Sequence, residues 1–226
     1  VMTGGRGVAA LFHGPPGTGK TFAAEAVAHE LQLDLYRVDL SQVVNKYIGE
    51  TEKQLAKLFD LAEQSSVVLF FDEADALFGK RTELKDAHDR FANVEVAYLL
   101  QRMEQFNGIS ILASNLRDNL DQAFTRRFGA VVKFPFPTAD ERREIWSGLL
   151  PSADLLAGDI SLEQLARDVE LAGGSIRNIL LLAAALAADE NSAITRKHLS
   201  QAIRREYQKE EIPWSGFSVQ HAEDSV

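Results

Sequence analysis

The sequence contains no cysteine. That excludes a disulfide framework, a thiolate nucleophile and Cys-based zinc, and it leaves the redox compartment open. Long apolar runs are missing too: none approaches the roughly 20 residues that a membrane-spanning helix needs. A basic excess is also lacking. The 24 Lys and Arg are outnumbered by 33 Asp and Glu, for a formal net charge of −9, whereas nucleic-acid-binding domains usually carry the opposite balance. A general nucleic-acid binder is disfavoured, although a local basic patch is compatible with these totals. The N-terminal stretch "VMTGGRGVAALFHG" lacks the charged, apolar and cleavage regions of a signal peptide. It enters the first apolar run almost at once and reads as a domain whose preceding segment is absent. No internal repeat or long low-complexity segment is evident. What is present is ordinary globular composition: 226 residues, 46% hydrophobic and 25% charged, enough for one large domain or a domain with a smaller appendage.

Up to about Pro137, short β-rich apolar runs alternate with amphipathic helical patterns. The runs are "VAALFH" (8–13), "LYRVDL" (35–40), "VVLFFD" (67–72), "ISILAS" (109–114) and "AVVKF" (130–134). Helix-like stretches such as "KTFAAEAVAHELQ" and "ETEKQLAKLFDLAEQ" lie between them. This alternation predicts βαβ units and a parallel sheet covered on both faces. "FPFPT" (134–138) breaks the pattern, and the chain then reads as helices only: "TADERREIWSGLL", "SLEQLARDVELA", "GSIRNILLLAAALAAD" and "TRKHLSQAIRREYQKE". Thr138, three residues before Glu141, predicts a capping box. From about Glu211 the tail mixes Pro, Gly and polar residues with Trp214 and Phe217. It is either disordered or docked through those two aromatics.

"GPPGTGKT", Gly14 to Thr21, fits G-x-x-x-x-G-K-[ST] in full. Gly14, Pro15, Pro16, Gly17, Thr18 and Gly19 form a turn whose backbone N–H groups can converge on phosphates. Lys20 can reach the β- and γ-phosphates, and the Thr21 hydroxyl can ligate Mg²⁺. The helix that begins there adds its positive end. A glycine-rich turn that binds nothing is the bland alternative, and a strand before and a helix after it count against that. The run Val67–Phe71 ends in Asp72-Glu73, carboxylates at the C-terminal edge of a parallel strand, where open α/β sheets bind ligands. Asp72 would hold Mg²⁺ through water, and Glu73 would orient or deprotonate an attacking water. Taken alone, the pair would read as a solvated acidic turn; with the phosphate turn upstream it reads as a hydrolytic site for a nucleoside triphosphate with Mg²⁺.

These two motifs, together with the downstream chain, resemble the AAA+ ATPases from about Val8 to Glu210, in detail the AAA branch that includes proteasomal and microtubule-severing ATPases. Within it, "DLYRVDLSQVVNKYIGETEKQL" and "FFDEADALFGKR" are most similar to the bacterial AAA ATPases that accompany extracellular contractile injection systems. The resemblance implies an α/β fold: a five-stranded parallel P-loop NTPase core over 1–137, a small all-helical lid over 138–210, and a tail over 211–226. It implies a role for Asn115, after "ILASN", at the sensor-1 position, where its amide would orient water against the γ-phosphate. Without that context an isolated Asn after a strand is usually a turn residue. Arg126 and Arg127 match the arginine-finger region, whose arginine reaches a neighbouring subunit's nucleotide. The family often separates its two arginines by Pro-Gly; here they are adjacent, and Phe128 after Arg127 matches the family's Arg-Phe. Arg127 is therefore preferred as the finger, with Arg126 left open. Arg177, in "GGSIRN", stands at the sensor-2 position near the start of the third lid helix. The AAA branch commonly lacks that arginine, so a surface role is the alternative. Phe22, Ile145 and Gly174 are carried over as nucleotide contacts, the last two lining the adenine pocket.

In "NKYIGETEKQL" (45–55), Lys46, Tyr47 and Ile48 precede a helix-like stretch, and Tyr47 and Ile48 would be exposed loop residues. The resemblance implies that this loop grips extended polypeptide in a central pore, and Tyr offers a rigid contact face that needs no particular partner sequence. Local packing of Tyr47 is the alternative. The charged stretch 79–91, with Lys85, His88 and Arg90, reads as a second pore loop or as a solvated one. The expectation is thus a cytoplasmic homo-oligomer, a hexameric ring, that couples ATP hydrolysis to remodelling of polypeptides, with neither nucleic acid nor membrane as partner. The competing readings are a nucleic-acid motor or loader, which Arg177 keeps open, and a nucleotide-gated scaffold that does not turn over.

Overall fold

The computed structural model describes residues 7–43, 50–75, 87–115, 122–150 and 161–217. By internal contacts they fall into two compact units. One runs to Pro135, and the other begins at Phe136 and also takes in the tip of the phosphate turn, Pro16–Thr18.

The first unit is built on five parallel strands: β1 (Val8–His13), β2 (Asp34–Asp39), β3 (Val67–Asp72), β4 (Ile109–Ser114) and β5 (Ala130–Lys133). Their order across the sheet is β2-β3-β4-β1-β5. The three inner strands are continuous apolar runs because both of their faces are covered. Period-two alternation divides them cleanly. Leu11, Leu69, Phe71 and Leu112 point to one side; Ala10, Phe12, Val68, Phe70, Ile111 and Ala113 point to the other.

Helix α1 (Lys20–Glu30) covers the second side through Ala24 and Ala28, one turn apart. Helix α3 (Glu50–Glu63), which follows the short α2 (Leu40–Val43), covers the first side. Its Leu55, Phe59 and Ala62 recur at helical spacing. They pack with Leu99 and Met103 of α4 (Ala87–Gln105). Phe59 lies 5.5 Å from Phe71 and 5.6 Å from Phe106 between ring centroids. Each such fully buried ring contributes about 1.5–3 kcal/mol of transfer free energy.

The fold class expected from the sequence is the one observed, with two shifts at strand ends. β2 begins at Asp34 and stops at Asp39, because Leu40 is fully buried and opens α2. β5 stops at Lys133, where Phe134 closes against β1 by donating its N–H to His13 O at 2.8 Å. The short α5 (Gln122–Thr125) precedes β5.

The second unit contains α6 (Ala139–Leu149), α7 (Leu162–Asp168), α8 (Gly173–Asp189) and α9 (Arg196–Lys209). Its core is Trp146, Leu165, Ile176, Ile179, Leu199 and Ile203 with their neighbours. The expected capping box closes α6: the Glu141 N–H donates to Thr138 Oγ1 at 3.3 Å, and the Thr138 N–H donates to Glu141 Oε2 at 2.7 Å. Beyond α9, Trp214 and Phe217 pack against this helical core. The Arg196 guanidinium lies 4.6 Å from the Phe217 ring centroid, a cation–π contact. Among the described residues, no helix is long and apolar enough to cross a membrane.

Candidate functional site

The strand order brings the C-terminal ends of β1, β4 and β3 side by side, and each end carries polar residues singled out in the sequence. β1 delivers the phosphate turn. Gly14 has φ 147°, a value that L side chains rarely adopt. A Cβ there would lie 2.0 Å from Phe134 O, so only glycine fits against the end of β5. The Gly14 N–H donates to Ser114 O at 3.2 Å, which ties the turn to β4. Pro16 and Gly17 are exposed.

Lys20 occupies the first turn of α1, and its side chain is buried. The ammonium donates to Gly14 O at 2.8 Å and Pro15 O at 2.9 Å. The turn is thus wrapped around its own lysine. Burial pushes the Lys20 pKa below its ordinary value, while the carboxylates of Asp72 and Asp75 oppose that shift. Thr21 is half-buried beside it, and Phe22 is exposed.

β3 ends at Asp72, whose Oδ1 accepts the N–H of Glu73 at 2.9 Å. Its Oδ2 accepts Nη2 of Arg37, on β2, at 2.6 Å. Arg37 is exposed, so the pair contributes no more than about 1 kcal/mol to stability. Sequence reasoning missed Arg37. The available signal was its place near the end of the strand that pairs with β3, where Asp39 stands opposite Asp72.

Glu73 is exposed and has φ 55°, in the left-handed region. A non-glycine residue there is uncommon and is characteristic of sites where geometry is imposed by surroundings. Here Ala74 donates its N–H to Ala113 O at 3.1 Å, so β3–β4 pairing resumes just past Glu73. Next comes Asp75, also missed. Its Oδ1 accepts Ser114 Oγ at 2.6 Å and the Asn115 N–H at 3.1 Å; its Oδ2 accepts the same N–H at 2.9 Å. Asn115 is therefore held by its backbone at the end of β4.

Arg126 and Arg127 are both exposed in the turn between α5 and β5. Phe128 anchors that turn: it is buried, and its ring lies 5.2 Å from Phe124. Its N–H donates to Thr125 O at 3.2 Å, and the Gly129 N–H donates to Ala9 O at 2.9 Å. Arg127 makes a long, exposed ion pair with Glu104, 3.7 Å. Both arginines stand on a turn held by buried Phe128.

In the second unit, the Gly174 N–H donates to Gly17 O at 2.9 Å. Ile145 is half-buried, 3.6 Å from where a Cβ on Gly173 would stand. Arg177 is exposed in the first turns of α8. Gly17, Gly174 and Ile145 are thus neighbours within this unit. Lys46, Tyr47, Ile48 and Lys85 lie outside the described residues, as do the side chains of His88 and Arg90, whose backbone belongs to α4.

The donor set fits a magnesium nucleoside triphosphate. A turn that only glycine can make at Gly14, a buried ammonium, the Thr21 hydroxyl and the Asp72 carboxylate supply the hard-oxygen and cationic groups that such a ligand needs. Glu73 stands exposed beside Asp72.

Comparison with known proteins agrees with this chemistry. A family model described as "ATPase family associated with various cellular activities (AAA)" matches residues 10–136. The chain is 36% identical over 203 residues to a proteasome-activating nucleotidase of Methanothermobacter thermautotrophicus, covering 85% of this chain and 49% of that protein. It is 34% identical over 204 residues to the proteasome-activating nucleotidase of Aeropyrum pernix, covering 86% and 50%. It is also 34% identical over 207 residues to proteasome-activating nucleotidase 2 of Halobacterium salinarum, covering 86% and 49%. The chain spans about half the length of the curated relatives it matches.

Proposed function

This chain belongs to the AAA family of ATPases, and from that membership we propose that it hydrolyses ATP with Mg²⁺ and couples the hydrolysis to remodelling or threading of polypeptides as a ring-shaped homo-oligomer, a hexamer. The observation that carries the reading is the side-by-side placement of the complete phosphate turn, Asp72-Glu73 and Asn115 on the ends of β1, β3 and β4. Bound Mg²⁺ would neutralise developing phosphate charge, held by Thr21 and Asp72. Gly14 to Phe22 would cradle the nucleotide, Glu73 would take the proton of the attacking water, and Asn115 would orient that water. Ile145 and Gly174 would line the adenine pocket, and Arg177 would contact the γ-phosphate in cis. The exposure of Arg126 and Arg127 on a fixed turn suits a finger offered to a neighbouring subunit, Arg127 first.

Lys46, Tyr47 and Ile48 would grip the polypeptide, and the nucleotidase relatives named for activating a proteasome favour that kind of output. Only contacts that differ between nucleotide states can drive such movement. The domain limits 1–137, 138–210 and 211–226, a cytoplasmic location and the finer kinship to ATPases of contractile injection systems belong to the same proposal. That kinship rests on "DLYRVDLSQVVNKYIGETEKQL" and "FFDEADALFGKR". Arg177 supports a second reading, a nucleic-acid motor, against which the net charge of −9 counts. An ATPase rate stimulated by DNA and abolished by moderate salt would favour it.

The test is Glu73→Gln, with mass determination in ATP. The expected result is a protein that retains ATP and assembles into rings. Hydrolysis at the normal rate would remove Glu73 from its role, and a monomer under those conditions would overturn the ring.

A further inference from the structure

Asp75 is a carboxylate that the proposed nucleotide chemistry leaves without a task. It is half-buried and shares the surroundings of Lys20 with Asp72. Among the described residues, its hydrogen bonds run to Ser114 and Asn115, some 39 and 40 positions away along the chain.

We infer that Asp75 is a positioning residue for hydrolysis: its carboxylate locks Asn115 to the turn that carries Glu73, so that the two water-handling groups keep one relative placement. The inference rests on the proposed roles of Glu73 and Asn115. The geometry supplies the mechanism. Glu73 has left-handed backbone at φ 55°, a conformation disfavoured for a residue with a Cβ, and so its flanks must hold it. Asp72 pins it on one side, and the N–H of Ala74, bound to Ala113 O at 3.1 Å, pins it on the other. Asp75 adds the next tie, at 2.6 Å to Ser114 Oγ and at 2.9 and 3.1 Å to the Asn115 N–H. Ser114 O in turn accepts the Gly14 N–H at 3.2 Å. Ser114–Asn115 is thus the junction of three segments, and Asp75 holds it on the β3 side.

The experiment measures kcat and KM for Mg-ATP, and the affinity for a fluorescent ATP analogue, on the whole assembled chain. The variants are Asp75→Ala, Asp75→Asn, Asn115→Ala, Asp75→Ala with Asn115→Ala, Ser114→Ala and Glu73→Gln. Asp75→Ala should lower kcat on the order of tenfold to a hundredfold, the scale of a small misplacement of reacting groups. KM and analogue affinity should stay within about twofold, because an interaction used only in the reaction is lost. Asp75→Asn keeps a carbonyl acceptor for the same donors and should restore most of kcat. Adding Asp75→Ala to Asn115→Ala should bring no further loss, since both act through one group.

Wild-type kcat in Asp75→Ala, or losses that multiply in the double variant, would overturn the inference. Should Asp75→Ala fail to fold, Asp75→Asn and Ser114→Ala decide: a reduced kcat with unchanged KM in Ser114→Ala supports it, and unaltered kcat in both overturns it. Glu73→Gln separates the two levels. If it hydrolyses ATP normally, the assignment of Glu73 falls; if it is inactive while Asp75→Ala is fully active, only the positioning role falls.

Discussion

Gly14→Ala is the sharpest probe of the phosphate turn, because the cost can be worked from position rather than chemistry. The added methyl would sit 2.0 Å from Phe134 O and 2.9 Å from Phe134 C. Relief to ordinary contact needs a displacement of at least about 1 Å in a close-packed region. Phe134 cannot readily supply it, since its N–H is bonded to His13 O at 2.8 Å and its ring lies 5.1 Å from Phe12. The turn must therefore move, and φ 147° adds backbone strain for any side chain. An ångström at a positioning element costs on the order of a hundredfold in function. The assay is titration with a fluorescent ATP analogue in the Glu73→Gln background, where turnover does not blur binding, together with a thermal melt. Affinity should fall by roughly that factor, with a lower melting temperature. Gly148→Ala is the control: a Cβ there meets nothing within 4 Å, and in a helix alanine is better than glycine by about 1 kcal/mol. It should bind nucleotide normally and melt no lower than the parent. Wild-type affinity in Gly14→Ala would refute the reasoning that the end of β5 holds the turn in its binding shape.

Three further outcomes are expected. Mixing an Arg127→Ala protein with a Lys20→Ala protein should restore part of the ATPase activity if the finger acts across subunits, and recovery at no ratio would refute the shared site. Tyr47→Ala should abolish remodelling of a model polypeptide; equal remodelling would remove the pore-loop role. Thr138→Ala should lower the melting temperature by about 2–4 °C, the loss of one helix cap in a chain of this size. That loss is pH-dependent. Hydrogen bonds from the Thr138 backbone and side chain hold the Glu141 carboxyl below its ordinary value; alanine keeps the backbone donor and removes only the hydroxyl, 3.0 Å from Glu141 Oε2, so the hydroxyl's share is complete above the unfolded pKa and disappears as pH falls through the folded one. The variant and parent should therefore melt more nearly together in acid than at neutrality. An equal gap at both pH values would refute the linkage.

The elements were largely legible in the chain itself, because their signals are local. A strand buried on both faces must be apolar throughout, and "VVLFFD" and "ISILAS" are. Leu40 misled, because a buried residue at the start of a helix looks the same as one at the end of a strand. The site was legible in part, for a similar reason. Gly14–Thr21 and Asp72-Glu73 are contiguous motifs whose chemistry is readable one after the other. Arg37 and Asp75 carry no such local mark. Their partners lie 35, 39 and 40 residues away, and only strand pairing brings them together.

The sequence by itself therefore determined the parallel sheet, the helical second unit, the phosphate turn and the acidic pair, since period, capping and loop chemistry are properties of short windows. Tertiary structure alone decided that Glu73 takes a left-handed turn, that Asp72 faces Arg37, that Phe128 fixes the arginine turn and that Asp75 ties β3 to β4. Those are consequences of strand order and register, and no short window of sequence encodes which distant residue will stand on the neighbouring strand.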